Sequence, residues 1–154
     1  MKKSDRNLIY QKFGGRCAYC GCELPKNWHV DEIEPVQRGW RYKPDPENKL
    51  GYYLQDEFGR PIKETYMLHP ERLNINNQFP ACPSCNINKH SGSVESFRAL
   101  IQGFINSLNS YSVQYRLAKK YGLIEETEKK VTFYFETYAN SISINPDRKE
   151  ETQM

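Results

Sequence analysis

The sequence predicts one α+β domain, and three observations carry that prediction. Four of the five cysteines form two Cys-x-x-Cys pairs, Cys17/Cys20 and Cys82/Cys85, far apart in the chain. Short stretches in which apolar and polar residues alternate predict strands, and stretches with apolar residues three and four apart predict helices. The 154 residues have a hydrophobic content of 38%, which suits one modest core with a further source of stability.

The cysteine pairs supply that further source, because they predict a structural zinc site. A Cys-x-x-Cys turn presents two thiolates to one side, and two such turns close a tetrahedral site of Cys17, Cys20, Cys82 and Cys85. Bound zinc contributes on the order of 10 kcal/mol to folding where the metal-free site is unformed. We predict the fifth thiol, Cys22, to be a bystander, because Cys20 completes the two-residue spacing.

The first half of the chain predicts few regular elements. Residues 5–13 have apolar positions at helical spacing and end at a Gly-Gly pair, which predicts a short helix. Residues 28–33 alternate as a strand does. Residues 36–76 are rich in proline and glycine and predict a long inserted loop, with a small hairpin turning at Asp56–Gly59.

The second half predicts two helices and a strand. Apolar residues recur at helical spacing over 94–108, and a second helix is predicted over 112–121, ending at Gly122. Residues 131–136 alternate and predict a C-terminal strand. The last ten residues, NPDRKEETQM, have no apolar anchor and should fray. We therefore predict a flexible tail at 141–154 and a domain that spans 1–140.

Cysteine usage and charge limit the classes of function. An odd cysteine count with no apolar segment before Asp5 argues against a secreted disulfide framework and favours a reducing, cytoplasmic setting. No apolar run approaches the length of a membrane span. The formal net charge is +3, and four thiolates with one Zn²⁺ remove about two of those charges. Affinity for nucleic acid must therefore come from local basic patches.

The sequence resembles the HNH endonucleases of the ββα-metal class, in particular their small bacterial and phage-type members. The strings that carry the resemblance are GGRCAYCGCELP, WHVDEIEP, NNQFPACPSCNINK and SVESFR, and a late YGL…VTFYFE stretch looks like the C-terminal part of that group. It covers most of residues 5–138, with 36–76 inserted. It implies a ββα-metal core stapled by the Cys₄ zinc site, flanking helices, and a bacterial or phage-encoded cytoplasmic protein.

The resemblance assigns roles to individual residues. Asp31 matches the motif aspartate that binds the catalytic divalent ion, Mg²⁺, Mn²⁺ or Ni²⁺, and Asn86 completes that site from the start of a helix. Asn77 matches the central asparagine, which holds the hairpin loop and positions the base. One hard cation on Asp31 and Asn86 would neutralise charge on the transition state and assist the leaving 3′ oxygen.

The sequence departs from the family at Glu32, which stands where the general-base histidine is expected. A glutamate is ionised at neutral pH and accepts a proton, but it is a weaker base than imidazole. Three alternatives stay open. Glu32 acts as base or extra metal ligand; His29 or His90 replaces the base; or the site is attenuated or inactive. His29 would share the strand face of Asp31.

Basic residues with aromatic neighbours are the candidate DNA contacts. Arginine beside aromatic rings suits phosphate binding and stacking, and Trp40 and Tyr42 are interleaved with cations in RGWRYK. The candidates are Arg16, Arg38, Arg41, Lys43 and Lys89, the last one helical turn beyond Asn86. A solvated loop with tucked aromatic rings is the open alternative.

These expectations favour a divalent-metal-dependent DNA endonuclease or nickase. The resemblance implies that it acts on duplex with weak sequence preference and leaves a 5′-phosphate. The alternative is a zinc-stabilised DNA-binding module whose cleavage is lost or very weak because Glu32 replaces the base. A zinc-stabilised protein-interaction domain is a third class, but it leaves Asp31 and Asn86 without a role. A monomer would nick, and a two-fold dimer could cut both strands.

Overall fold

The computed structural model describes residues 1–47 and 52–138. Its helices and strands follow one another in the order α1 (Lys3–Gln11), β1 (His29–Glu32), β2 (Arg38–Tyr42), β3 (Lys63–Met67), β4 (Gln78–Ala81), α2 (Pro83–Lys89), α3 (Val94–Tyr111) and α4 (Val113–Lys120). Short 3₁₀ turns lie at Pro70–Arg72 and Ile75–Asn77. The α+β prediction is confirmed, with helices set against small antiparallel sheets.

In the described part of the chain, strands β1 and β4 form one of the two small sheets, and helix α2 follows β4. Strand β1 pairs antiparallel with β4, with Asp31 opposite Phe79. Helix α2 begins directly after β4, because Cys82 has extended backbone and Pro83 supplies a preset first helical residue without an N–H. Helix α2 then packs against β1. Side chains of β1 and α2 therefore face each other across a short gap.

The inserted segment is more ordered than the predicted loop. Its two ends form the antiparallel pair β2–β3, in which Trp40 lies opposite Thr65 and Tyr42 opposite Lys63. The chain turns at the predicted place, where the Gly59 N–H donates to the Asp56 carbonyl at 3.0 Å. The segment is thus a two-stranded ribbon that continues the domain beyond β1.

The core is aromatic and lies against the cysteines. Tyr19, Phe97 and Phe133 are buried together with Cys17 and Cys82. The Tyr19 ring meets the other two edge-on at 5.4 and 5.3 Å, a favourable geometry for aromatic pairs. The buried cluster is thus built mainly from aromatic rings and cysteines rather than from aliphatic side chains.

Both predicted C-terminal helices are present. Helix α3 starts at the Ser93 side chain, which accepts from the Ser96 N–H, and it buries Phe97. Helix α4 is capped in the same way by Ser112. The chain leaves α4 at Gly122, whose φ of +70° suits the left-handed exit of a helix.

The predicted C-terminal strand over 131–136 is wrong. Residues 134–138 are helical. The N–H groups of Tyr134 and Phe135 donate to the carbonyls of Tyr19 and Ala18, and the Phe133 N–H donates to the Glu136 carboxylate. These bonds satisfy the first turn of a helix, so the alternating phenylalanines pack on the core without a partner strand. The predicted tail at 141–154 lies outside the described residues.

The extent of the domain, 1–140, stays a prediction. In the part of the chain that the structure describes, no helix combines the length and the apolar character that a membrane crossing requires.

Candidate metal centre and adjoining cleft

The four predicted cysteines form one cluster. The sulfur atoms of Cys17, Cys20, Cys82 and Cys85 all lie within 4.8 Å of one another, and those of Cys20 and Cys82 are 3.8 Å apart. Zinc–sulfur bonds of about 2.3 Å in a tetrahedron place the sulfurs about 3.8 Å apart. The cluster therefore has the donor atoms and spacing to hold a metal ion such as zinc, as the sequence predicted.

Local backbone bonds shape the first cysteine turn. The Cys17 N–H donates to the Cys22 carbonyl at 2.9 Å, and the Gly21 N–H donates to the Cys17 carbonyl at 3.0 Å. Gly21 has a φ of +73°, and a Cβ there would lie 2.9 Å from the Tyr134 ring. Glycine at this position is thus needed both for the turn and for the close approach of the helical residues 134–138.

The surroundings of Cys17 favour the thiolate form that a metal ligand requires. A hydrogen bond from Cys85 is the main cause that lowers the pKa of Cys17 to about 4, and backbone N–H groups of the turns act in the same direction. Cys22 lies beside the cluster against Cys20 and Cys82 but is not one of its four sulfurs. Burial and those neighbours raise the pKa of Cys22 to about 12, which suits an inert bystander.

Asp31 is part of a buried ion pair. The Lys89 ammonium lies 3.0 Å from Asp31 Oδ2, and the two side chains are 1% and 5% exposed respectively. The Tyr19 hydroxyl also donates to Oδ2, and Lys89 donates to the Glu32 carbonyl at 2.7 Å. Burial raises the pKa of Asp31, although Tyr19 and Lys89 oppose that effect. The carboxylate is thus neutralised from within the protein.

The prediction that Lys89 contacts a DNA phosphate is corrected by this burial. Lys89 follows Asn86 by nearly one helical turn, as expected, but that side of α2 faces β1 rather than solvent. Its ammonium serves Asp31 and the β1 backbone instead.

Glu32 is also neutralised within the chain. Its carboxylate accepts from two Arg38 nitrogens at 2.5 and 3.3 Å and from the Val36 N–H at 2.9 Å. Partial burial favours the protonated form of Glu32, but the bonds from Arg38 and Val36 outweigh it and lower its pKa. Glu32 is therefore ionised at neutral pH and has a reduced affinity for the proton that a base must accept.

An open cleft of about 610 Å³ runs between β1 and α2. Asp31, Glu32, Arg38, Asn86 and His90 are among the residues that line it. The structure thus brings together both predicted cation ligands, the residue at the base position and one of the two alternative bases.

The two histidines predicted as alternative bases, His29 and His90, occupy different positions. The His29 Nδ1 lies 2.9 Å from the Asn86 side-chain nitrogen, so His29 orients that amide. His90 ends α2 in an exposed position at the cleft, with its Nδ1 3.0 Å from the Ser91 hydroxyl. The backbone of His90 has a φ of +52°, a conformation that residues other than glycine seldom adopt.

Asn77 joins the two sides of the loop that leads into β4. Its side-chain oxygen accepts from the Glu34 N–H at 2.9 Å, and its side-chain nitrogen donates to the carbonyls of Glu34 and Arg72. These contacts fix the end of β1 relative to the start of β4.

The remaining basic candidates lie in different surroundings. Arg16 donates to the Gly21 carbonyl of the first cysteine turn at 3.0 Å. Arg41 pairs with Glu64 at 2.8 Å on the ribbon, and Lys43 is exposed beyond β2. Among the basic residues predicted to contact DNA, Arg38 lines the cleft.

Sequence reasoning missed the partners of the two acidic residues. A carboxylate on a buried strand position requires a cation or several donors, and that requirement was a usable signal for Asp31. Tyr19 and Lys89 supply these donors from two distant segments, and the separation concealed them.

No family model, curated protein or solved structure matches this chain.

Proposed function

We propose that the chain is an HNH-type endonuclease or nickase that hydrolyses DNA phosphodiester bonds with a divalent cation. The observation that supports this proposal is the shared cleft of Asp31, Glu32 and Asn86 between β1 and α2. Those residues occupy the positions that the motif resemblance assigns to cation binding and proton transfer.

The cysteine cluster supports the proposal because a bound metal would fix the start of α2, one side of the cleft, to the first cysteine turn. Cys82 and Cys85 lie at the start of α2, and Asn86 is the next residue. A metal bound by all four sulfurs would fix that helical turn to the first cysteine turn. Asn86 would then keep its place opposite Asp31 without a large hydrophobic core.

Asp31 and Asn86 would hold the catalytic cation. One carboxylate and one amide oxygen suit a hard ion that keeps several waters, such as Mg²⁺ or Mn²⁺. When bound, that ion supplies charge neutralisation at the scissile phosphate. Lys89 already neutralises Asp31, so we expect cation affinity to be weak and activity to rise with cation concentration over the millimolar range.

In this proposal Glu32 takes a proton from the attacking water. The water oxygen bonds to phosphorus while the bond between phosphorus and the 3′ oxygen breaks. The 3′ oxygen leaves with that electron pair and takes a proton from solvent, and the phosphate stays on the 5′ end of the other product. The Arg38 pair lowers the proton affinity of Glu32, so this step is slow.

A second candidate is a zinc-stabilised DNA-binding module without useful cleavage. The neutralisation of both acidic residues, by Lys89 and by Arg38, favours it. In such a module the cleft would bind phosphate through Arg38 and would not recruit a cation.

Replacing Glu32 by histidine separates the two candidates. If the cleft is a nuclease site with a weak base, Glu32→His raises the rate of plasmid nicking in Mg²⁺, Mn²⁺ or Ni²⁺ by about tenfold or more, because general bases typically contribute 10²–10⁴-fold. Glu34→His is the matched control, since Glu34 is exposed outside the cleft, and it leaves the rate unchanged.

Asp31→Ala in the Glu32→His background should abolish the gained activity. No nicking by wild type or Glu32→His in any of the three cations, with DNA binding retained, contradicts the nuclease and establishes the module. A third outcome is that wild type nicks the plasmid, Glu32→Gln abolishes the nicking and Glu32→His does not increase it. That outcome shows that the Glu32 carboxylate itself is the working base.

A further inference from the structure

One face of the β2–β3 ribbon is exposed along its whole length. Directly opposed residues of antiparallel strands point to the same side, so this ribbon face is defined by three residues of β2 and three of β3. They are Arg38, Trp40 and Tyr42 with Lys63, Thr65 and Met67, and all six are exposed.

The ribbon face carries a row of aromatic rings. The Trp40 and Tyr42 ring centres are 5.6 Å apart, and Tyr53 continues the row 5.1 Å from Tyr42. Trp40 is 57% and Tyr53 is 49% exposed. Lys63 places its ammonium 4.3 Å from the Trp40 ring centre. Exposed aromatic rings grouped with a cation mark a binding surface.

The opposite face of the ribbon has its own partners. Arg41 pairs with Glu64 there, and Tyr66 covers Gly39, where a Cβ would lie 2.8 Å from the ring. The ribbon is therefore asymmetric. One side is internally paired, and the other presents rings and two cations without a carboxylate among its six residues.

The ribbon face is continuous with the cleft. Arg38 is the first residue of that face and also lines the cleft, where it holds Glu32. Its side chain is 53% exposed, so a phosphate could reach the guanidinium from the ribbon side. A strand lying along Tyr53, Tyr42 and Trp40 would thus lead to the cleft.

We infer that the ribbon face binds single-stranded DNA, with bases stacked on Trp40, Tyr42 and Tyr53 and phosphates held by Lys63 and Arg38. Stacking on rings needs base faces that a duplex covers, so the row of exposed rings favours an unpaired strand. The inference deepens the proposed function, on which its link to the cleft rests. The substrate would then be DNA with an unpaired stretch beside the scissile bond.

Fluorescence of the full chain tests this directly, because the chain has two tryptophans and Trp28 is only 9% exposed. Titration with a deoxythymidine oligomer of about 12 nucleotides should quench Trp40, and a hairpin duplex of similar length should bind more weakly. Because Trp40→Ala lacks this reporter, the variants are compared by the fluorescence anisotropy of a dye-labelled oligomer. We expect Trp40→Ala and Tyr42→Ala each to weaken binding about tenfold. Phe58→Ala is the matched control, since Phe58 is 71% exposed on the same segment, and it should change binding less than twofold.

Equal or tighter binding to the hairpin, or variants at Trp40 and Tyr42 that bind as well as Phe58→Ala, overturns the inference. Absence of quenching in the wild-type chain overturns it without any variant. Its failure is distinct from failure of the nuclease proposal. Oligomer binding without cleavage contradicts only the nuclease, and plasmid nicking without oligomer binding contradicts only the ribbon inference.

Discussion

Replacing Lys89 by methionine removes the cation of a buried pair while keeping much of the side-chain volume. The Lys89 ammonium lies 3.0 Å from Asp31 Oδ2, and both side chains are at most 5% exposed. The variant leaves the Asp31 charge buried with only the Tyr19 hydroxyl as a described donor, and it removes the bond to the Glu32 carbonyl. Breaking one partner of such a pair costs about 3–5 kcal/mol.

That cost is a large part of the roughly 5–15 kcal/mol that stabilises a typical domain. Denaturant unfolding of the zinc-loaded chain at neutral pH should show it as a lower midpoint with an unchanged slope. Lys119→Met is the matched control. Lys119 pairs with Glu126 at the surface, where its side chain is 45% exposed, and the loss of such a pair costs at most about 1 kcal/mol.

The loss should depend on pH in a defined direction. Without Lys89, burial raises the folded-state pKa of Asp31 further above its unfolded value of about 3.9. A raised carboxyl pKa favours the protonated folded state. The free energy of unfolding that Lys89→Met loses relative to wild type is therefore smallest below about pH 4 and grows as the pH rises. The double variant Asp31→Asn with Lys89→Met should recover about 2 kcal/mol or more of the neutral-pH loss, since no charge then stays buried. A single variant within about 1 kcal/mol of wild type at neutral pH refutes the buried pair.

Two further predictions concern the cluster and the base position. Cys82→Ser should abolish stoichiometric zinc binding and lower the thermal midpoint by more than 10 °C, because it removes a ligand that also begins α2. Cys22→Ser is the control and should leave the zinc content and the thermal midpoint near wild type. Equal effects of the two variants would contradict the set of four sulfur ligands. Arg38→Ala should raise the pKa of Glu32, as measured by carboxyl NMR titration. Because the folded pKa of Glu32 is depressed by that pair, wild type should lose the pair's contribution as the pH falls below about 4, and Arg38→Ala should lack this acid-dependent loss. An unchanged Glu32 titration in Arg38→Ala would show that the pair does not persist in solution.

The neutralised acidic residues bear on how the cleft could work. Asp31 and Glu32 together would give the cleft a double negative charge, but Lys89 and Arg38 offset both. An almost neutral cleft repels DNA less and attracts a cation less. A phosphate that competes for Arg38 would release Glu32, so in the proposed nuclease the arriving DNA would itself increase the basicity of that residue.

The parts of the fold set by local spacing could be predicted from the sequence. The Cys-x-x-Cys turns meet as predicted because each turn is fixed within a few residues, by bonds such as that from the Gly21 N–H to the Cys17 carbonyl. Helices α3 and α4 follow from apolar periodicity and serine caps. Asp31 and Asn86 share the cleft because helix α2 packs against strand β1.

The parts set by distant contacts could not be predicted in the same way. The alternation at Phe133 and Phe135 has the period of a strand, but carbonyls of residues 18 and 19 accept the N–H groups of a helix start there. Lys89 was placed on the correct turn of α2, but only the position of β1 shows that this side is buried. The Glu32 partner Arg38 depends on a reversal at Gln37, whose φ is +53°, and glutamine gives no sequence signal for that conformation.

X-ray absorption spectroscopy at the zinc edge of the purified chain, with a measurement of zinc per chain, tests the central claim most directly. The account predicts one zinc per chain with four sulfur neighbours at about 2.3 Å. A chain that folds without metal, or a zinc with nitrogen or oxygen in place of two or more sulfurs, would contradict the idea that one zinc on the four cysteines fixes the start of helix α2 beside the cleft.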